Sequence, residues 1–369
     1  MTVETMLLAV RRPLALVVLV VPLALAVGTR ADAGFDSHGT RDAQLRKVLA
    51  TAVARVHAPG GVLLVKTRRS TWLRSIGAAK LARSHEHPKP GRRVPMPVNG
   101  RFRIASVTKT FTAALVLQLA VDGTLSQTDT VEHWLPGRLP NGAGTHITIR
   151  DLLAQRSGLQ DGSAVYPELI VVAGPPGRFY YANANYVLLG EIVEAATHST
   201  YAAQLETRIF QPLGLKRTVV ARGPVTAPGL VHGYGWGYIG GLRVDETTAS
   251  DSTPAPASGL VSDALDVARF ERALFAGRVL PRDVVAQMQR PMPLDGFDGH
   301  GYTAYGLGLM RFPTRCGDAW GHRGHGLGYT SWMLSTRDGA RTAVLLLNET
   351  LPWGPTMNVN PFVERALCP

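Results

Sequence analysis

The sequence predicts an α/β fold: an antiparallel sheet built from both termini, helices packed against it, and a mainly helical region inserted between the two halves. Strand-like runs lie at both ends, Gly61 to Lys66 and Thr71 to Gly77 near one, Tyr329 to Ser335 and Thr342 to Asn348 near the other. The second pair flanks Asp338-Gly339, a strong hairpin signal. With strands at both ends and helices between, the middle is read as a helical insertion into a domain made from the two termini.

At the N-terminus, residues 1–33 read as a secretory signal: Arg11-Arg12, the apolar run Pro13 to Val27, then Ala31-Asp32-Ala33. The run is shorter than the ~20 residues of a membrane-spanning helix, so cleavage after Ala33 is expected, with an uncleaved anchor as the alternative. Leu45, Val48, Leu49, Ala52, Val53 and Val56 recur every three or four residues and form the apolar face of a helix that should lie on the sheet. After the first two strands comes a polar, Pro-rich loop from Ala82 to Pro97. The run Phe111 to Val121 is apolar almost all round, so its helix should be buried. The α/β domain is assigned to residues 34–125 and 258–369, and the inserted helical domain to 126–257. Gly223 to Pro256, rich in Gly, Thr and Pro, reads as an irregular loop near the cleft.

Composition sets the class. Of 369 residues, 45% are hydrophobic and 18% charged, enough for a large core and inconsistent with disorder. The formal charge is +12; residues 1–33 carry Arg11, Arg12 and Arg30 against Glu4 and Asp32, which leaves +11 without them. A basic secreted protein is drawn to anionic walls and membranes. No zinc spacing, basic aromatic strand or recognition helix points to nucleic acid.

The chemistry begins at Ser106-Val-Thr-Lys109, a hydroxyl and an amine one turn apart at the mouth of the buried helix. A serine hydroxyl is a weak nucleophile until a neighbouring base takes its proton, and residues three apart on a helix are neighbours. Tyr181-Ala-Asn183 and His322-Arg-Gly324 come later in the chain, the second opening a segment that ends in a strand. Around them stand Phe102 to Phe111 (FRIASVTKTF), Asp122-Gly-Thr-Leu125, Ile147 to Leu153 (ITIRDLL), Ser157-Gly-Leu159, Pro176-Gly177 before Phe179 to Asn183 (FYYAN), and Tyr305 to Leu309 (YGLGL).

On these motifs and their order the chain resembles the penicillin-recognising serine hydrolases, the family of serine D-alanyl-D-alanine carboxypeptidases, class C β-lactamases and their esterase relatives. Cys316 before the His-x-Gly element and Cys368 near the end look most like the secreted carboxypeptidase branch. The resemblance implies a β-lactamase-like fold and a secreted, cell-wall-associated enzyme acting through an acyl-enzyme, with Ser106 as nucleophile. Its substrate would be a peptidoglycan stem peptide, or a β-lactam that acylates it. It also implies an oxyanion site from the backbone N–H groups of Ser106 and His325. No metal or organic cofactor is implied, and a monomer is expected. In an exported chain the two cysteines favour a Cys316–Cys368 disulfide, worth at most roughly 4 kcal/mol in the chain-entropy model.

Each site residue has a physical reason. Lys109, normally titrating near 10.4, is either the base or a charge that lowers the pKa of Tyr181. With Lys109 and His322 close by, a Tyr181 phenolate is expected to be favoured, able to take the serine proton and return one to the leaving amine. Asn183 should bond the substrate amide and Lys109. His322 replaces the lysine of the Lys-Thr-Gly version of its element and is expected to orient Tyr181 or stabilise its anion. Gly324 is expected to let substrate backbone lie close to the strand. In the carboxypeptidase branch the substrate carboxylate meets hydroxyl residues and a base where this chain has Arg323, His325 and Met310. Arg323 and His325 are therefore candidate carboxylate-binding residues, while Met310 argues against strict carboxypeptidase specificity.

Other patterns fail. His85-Glu-His87 lacks a third metal ligand, Gly324-x-Gly326-x-Gly328 is not the dinucleotide spacing, and there is no G-x-S-x-G elbow. A β-lactamase-like hydrolase or short-chain esterase on the same fold is the alternative enzyme, and a non-catalytic binder of wall peptide or β-lactam the alternative outside enzymes. The complete set Ser106, Lys109 and Tyr181 argues against a pure binder.

Overall fold

The two ends of the chain meet in one sheet. The computed structural model describes residues 36–162, 170–221, 227–249, 254–299, 301–350 and 360–368, so the signal predicted at residues 1–33 lies outside the described residues. The chain divides into two units, residues 1–40 and 41–369. Of the first only the opening turn of a helix is described; the sheet, the cores and the site all belong to the second.

In chain order the principal elements are α1 (Asp36–Arg55), β1 (Gly60–Lys66), β2 (Thr71–Lys80), β3 (Val94–Pro95), α2 (Thr108–Val121), α3 (Asn183–Thr197), α4 (Ala264–Phe275), α5 (Arg282–Met288), β4 (Ala304–Tyr305), β5 (Met310–Thr314), β6 (Gly317–Gly326), β7 (Tyr329–Thr336), β8 (Thr342–Leu347) and α6 (Asn360–Leu367). Among the described residues the largest sheet has eight strands in the order β4-β5-β6-β7-β8-β1-β2-β3, every neighbour antiparallel. Leu63 pairs with Leu345 across the junction of the two ends.

Strand alternation explains the layers. Val62, Leu64, Val344 and Leu346 face a core that includes Phe111 of α2 and Phe270 and Leu274 of α4. Their neighbours Leu63, Val65, Leu345 and Leu347 face the opposite core, with Leu45, Leu49 and Ala52 of α1 and Phe362 and Ala366 of α6. Successive side chains point to opposite faces, so the middle of these strands must be apolar at successive positions, as in Val62 to Val65 and Ala343 to Leu347. Glycine at 339, with φ +65°, makes the turn between β7 and β8.

The Cys316–Cys368 disulfide is formed, with Cα atoms 5.6 Å apart, and joins the β5–β6 turn to the residue after α6. Two local expectations change. Within the stretch read as an irregular loop, Tyr234–Ile239 and Leu242–Asp245 pair as a hairpin, turned by Gly240 and Gly241 at positive φ. The first helix begins at Asp36, well before its apolar face. Among the described residues no helix is long and apolar enough to cross a membrane.

Candidate active site

Ser106 sits in a single 3-10 turn, Ala105–Val107, that leads into α2. Ala105, just before it, has φ +45°, a left-handed conformation that costs a residue with a Cβ about 1 kcal/mol or more. Its neighbours hold it there. The Ser331 hydroxyl donates to the Ile104 carbonyl at 2.7 Å, and β6 lies directly against the same carbonyl at Gly324. A Cβ on residue 324 would stand 2.1 Å from that oxygen. The missing side chain of Gly324 thus makes room for the nucleophile's own turn, a reason different from the substrate approach expected from sequence.

Lys109, on the first turn of α2, is fully buried. Its Nζ lies 3.0 Å from Ser106 Oγ, 2.7 Å from Asn183 Oδ1 and 2.9 Å from the Ala257 carbonyl oxygen. The last two are acceptors only and each fixes one N–H of the amine. The third direction points at Ser106. It is either an N–H of an ammonium or the lone pair of a neutral amine that receives the serine proton. Asn183 is delivered by the first residue of α3, and Ala257 by the helical turn Ala255–Ser258, neither adjacent to Lys109 in sequence. The Ala257 carbonyl carries no sequence signature and was not foreseen.

The Tyr181 phenol stands near the Ser106 hydroxyl, which acts to lower its pKa. The Lys109 side-chain nitrogen stands 5.0 Å from its ring centroid. Its backbone is clamped from both sides by Gln155, a buried residue itself at φ +59°. The Gln155 carbonyl accepts from the Tyr180 N–H at 2.9 Å, and its side-chain Oε1 accepts from the Ala182 N–H at 3.0 Å. Gln155 stands two residues before the Ser157-Gly-Leu159 motif and was also missed as a site-building residue.

The expectation of a favoured phenolate is corrected. Burial, followed by the neighbouring Tyr305, pushes the Tyr181 phenol well above its ordinary value; Ser106 and Arg323 pull the other way without reversing it. His322 does not help as a cation. Burial, then the charge of Lys109, lowers its pKa to about 3, so it is neutral. Its Nδ1 lies 2.6 Å from the Arg323 carbonyl, which can only accept, so Nδ1 carries the proton. Nε2 therefore accepts from the Tyr305 hydroxyl, 3.2 Å away. With both nitrogens engaged, His322 reaches Tyr181 only by packing, their rings 6.2 Å apart, while Tyr305 meets Tyr181 edge-on at 6.2 Å. Tyr305 belongs to the site; the sequence placed it in a motif but could not say what it faced.

Arg323 is 6% exposed, so it does not point to solvent. Its guanidinium carbon lies 5.3 Å from the Tyr302 ring centroid, with Tyr302, Tyr181 and Asp298 as its electrostatic neighbours. Met310 is buried in the apolar cluster with Tyr302, Tyr305 and Phe312 and supplies nothing polar to the site. His325 is half-buried on β6, opposite Thr330 of β7. That part of β6, from His322 onward, pairs with β7 alone, because β5 ends its pairing at Gly321. The 3-10 turn of Ser106 lies against it.

The chain is similar over most of its length to known proteins. The β-lactamase family model matches residues 45–363. Penicillin-binding protein 4* of Bacillus subtilis is 27% identical over 287 residues, covering 69% of this chain and 62% of that protein. The chain thus spans under two thirds of that relative's length. Two solved structures match nearly whole: a D-stereospecific amidohydrolase from Streptomyces sp., with TM-score 0.72, 28% identity, 89% of this chain and 98% of that one, and D-amino acid amidase from Ochrobactrum anthropi SV3 in complex with L-phenylalanine amide, with TM-score 0.76, 27% identity, 89% and 97%.

Proposed function

Because the chain belongs to the β-lactamase family, we propose that it is a serine hydrolase that cleaves an amide next to a D-configured residue through an acyl-enzyme on Ser106. The observation that carries this reading is the placement of Lys109 Nζ, 3.0 Å from Ser106 Oγ and tied to Asn183 and Ala257.

In the reactive form Lys109 is a neutral amine. Its two N–H groups stay on Asn183 and Ala257 while its lone pair accepts the proton of Ser106 as Oγ attacks the carbonyl. The backbone N–H groups of Ser106 and His325 receive the oxyanion. Tyr181, kept neutral by burial, is an acid that gives its proton to the leaving nitrogen; in deacylation its phenolate takes a proton from the attacking water while Lys109 returns its own proton to Ser106 Oγ as the acyl bond breaks. Asn183 holds the substrate amide, and His322 with Tyr305 keeps the Tyr181 ring in place.

For the substrate, buried Arg323 beside Tyr181 favours a peptide ending in a carboxylate, as in a D-alanyl-D-alanine stem peptide, because a guanidinium pairs with a carboxylate through two parallel bonds. β-Lactams, which carry a carboxylate next to a strained amide, would acylate the same serine. The predicted leader and the disulfide support work outside the cell, on the wall. A second reading, a D-amino acid amidase or aminopeptidase, is favoured by the likeness to D-amino acid amidase over 97% of that chain. Steady-state kinetics on an N-acyl-D-alanyl-D-alanine peptide, its L,L counterpart and D-phenylalanine amide separates them. Turnover of the D,D peptide alone supports the carboxypeptidase. Turnover of the amide with the peptide untouched replaces it by the amidase, and no preference for D over L overturns both.

A further inference from the structure

At the opposite end of the sheet from Ser106, five arginines line one cavity of about 430 Å³: Arg68 from the β1–β2 turn, Arg272 from α4, Arg278 after it, Arg282 from α5 and Arg337 from the β7–β8 turn. Its one lining carboxylate is Asp338, which sits 3.4 Å from Arg68. The turn that carries Arg337 comes after Thr336, which pairs with Ala319; from there to His325 along β6 is about 20 Å, so this cavity is separate from the catalytic cleft.

Several arginines elsewhere on the surface have a carboxylate partner. Arg46 meets Asp42, Arg138 meets Glu191, Arg156 meets Asp295 and Arg208 meets Asp122. Among the described residues Arg272, Arg278, Arg282 and Arg337 have no such ion pair. Arg272 is half-buried and oriented by the carbonyls of Gly339 at 3.2 Å and Ala340 at 3.4 Å. Burial, then the like charges of Arg278 and Arg68, draws its pKa down. Three distant chain segments, around Arg68, Arg272 to Arg282 and Arg337, thus bring together charges that repel one another, and an anion bound among them would relieve that repulsion.

We propose that this cavity binds a phosphate-bearing ligand with several closely spaced negative charges. Guanidinium forks match phosphate oxygens in pairs, and five around one cavity suit more than one phosphate. The phosphate comes either from a soluble oligophosphate or from the headgroups of an anionic membrane.

The test is calorimetric titration of the intact protein with tripolyphosphate, alongside sedimentation with phosphatidylglycerol vesicles and with phosphatidylcholine vesicles. The site variant is Arg278→Gln with Arg282→Gln. The control, Arg92→Gln with Arg93→Gln, removes the same charge from the exposed Pro-rich loop. The proposal predicts saturable binding weakened at least about tenfold in the site variant and less than about twofold in the control. Site-dependent loss of sedimentation with phosphatidylglycerol assigns the phosphate to a membrane, and site-dependent loss for tripolyphosphate alone assigns it to a soluble ligand. No binding of either probe, or equal loss in both variants, overturns the site. Binding is read without turnover, so the outcome is independent of the hydrolase reading.

Discussion

Lys109 on α2 and Glu271 on α4 are both fully buried ionisable residues of core helices, and they are treated in opposite ways. Lys109 meets three oxygens supplied by three separate segments. The carboxylate oxygens of Glu271 have no hydrogen bond of ordinary geometry among the described residues, and the nearby Ser335 hydroxyl is paired with Thr342 at 2.7 Å. Burial pushes the Glu271 carboxyl well up, so it is held as a neutral acid. A buried charge costs several kcal/mol unless it is bonded, so a complete partner set marks a group kept for its charge or basicity. Burial alone does not distinguish the two; the partners do.

The largest expected effect breaks the first half of this comparison. Lys109→Met removes the proposed base and leaves Asn183 and Ala257 without their donor, so kcat/KM should fall by roughly 10⁴-fold. Steady-state kinetics with a folded variant, checked by circular dichroism, measures it. Loss of less than about tenfold would mean that another group takes the serine proton.

Next is Tyr181→Phe. If Tyr181 donates to the leaving group, kcat on an amide or peptide should drop by roughly 10²–10⁴. A p-nitrophenyl ester, whose leaving group needs no proton, should lose less than about tenfold. Equal losses on both substrates would move Tyr181 to the attack step.

Glu271→Gln sharpens the other half. The folded-state pKa of Glu271 is raised above its unfolded value, so the fold retains a proton that the unfolded chain gives up. The resulting penalty is absent below about pH 4.3 and grows as pH rises from there toward the folded value. The variant should therefore be more stable than wild type at pH 7, by up to about 3–4 kcal/mol, and equal to it near pH 4. Urea unfolding at both pH values checks this, and a gain independent of pH would contradict it.

The smallest effect concerns His322. With its pKa lowered to about 3, it should contribute no ionisation to kcat/KM between pH 5 and 8. Tyr305→Phe should lower kcat only about tenfold, by loosening the ring that orients Tyr181. A limb near pH 6.5 that disappears in His322→Gln would show that the histidine titrates during turnover.

The same contrast between local and distant partners separates what the chain reveals on reading from what it hides. Ser106 and Lys109 were legible because a 3-10 turn running into α2 places residues three apart side by side, and the central strands were legible as continuous apolar runs, because both faces of the sheet are buried. Tyr181 and Asn183 were legible through their motif. What was lost depends on contacts between distant segments. Gln155 clamps Tyr181 through its backbone as well as its side chain, Ala257 contributes only a carbonyl, and Tyr305 faces His322 across two strands. The neutral states of Tyr181 and His322 follow from burial, which local sequence does not reveal. For the same reason nothing in the sequence set Glu271 apart, although it is as buried as Lys109.

The most direct test is where the acyl group goes. Incubated with benzylpenicillin, digested and analysed by mass spectrometry, the protein should carry the drug's mass on the peptide that contains Ser106, and Ser106→Ala should carry none. Label on a different peptide, or equal labelling of the wild type and Ser106→Ala, would contradict the assignment of Ser106 as the nucleophile activated by Lys109.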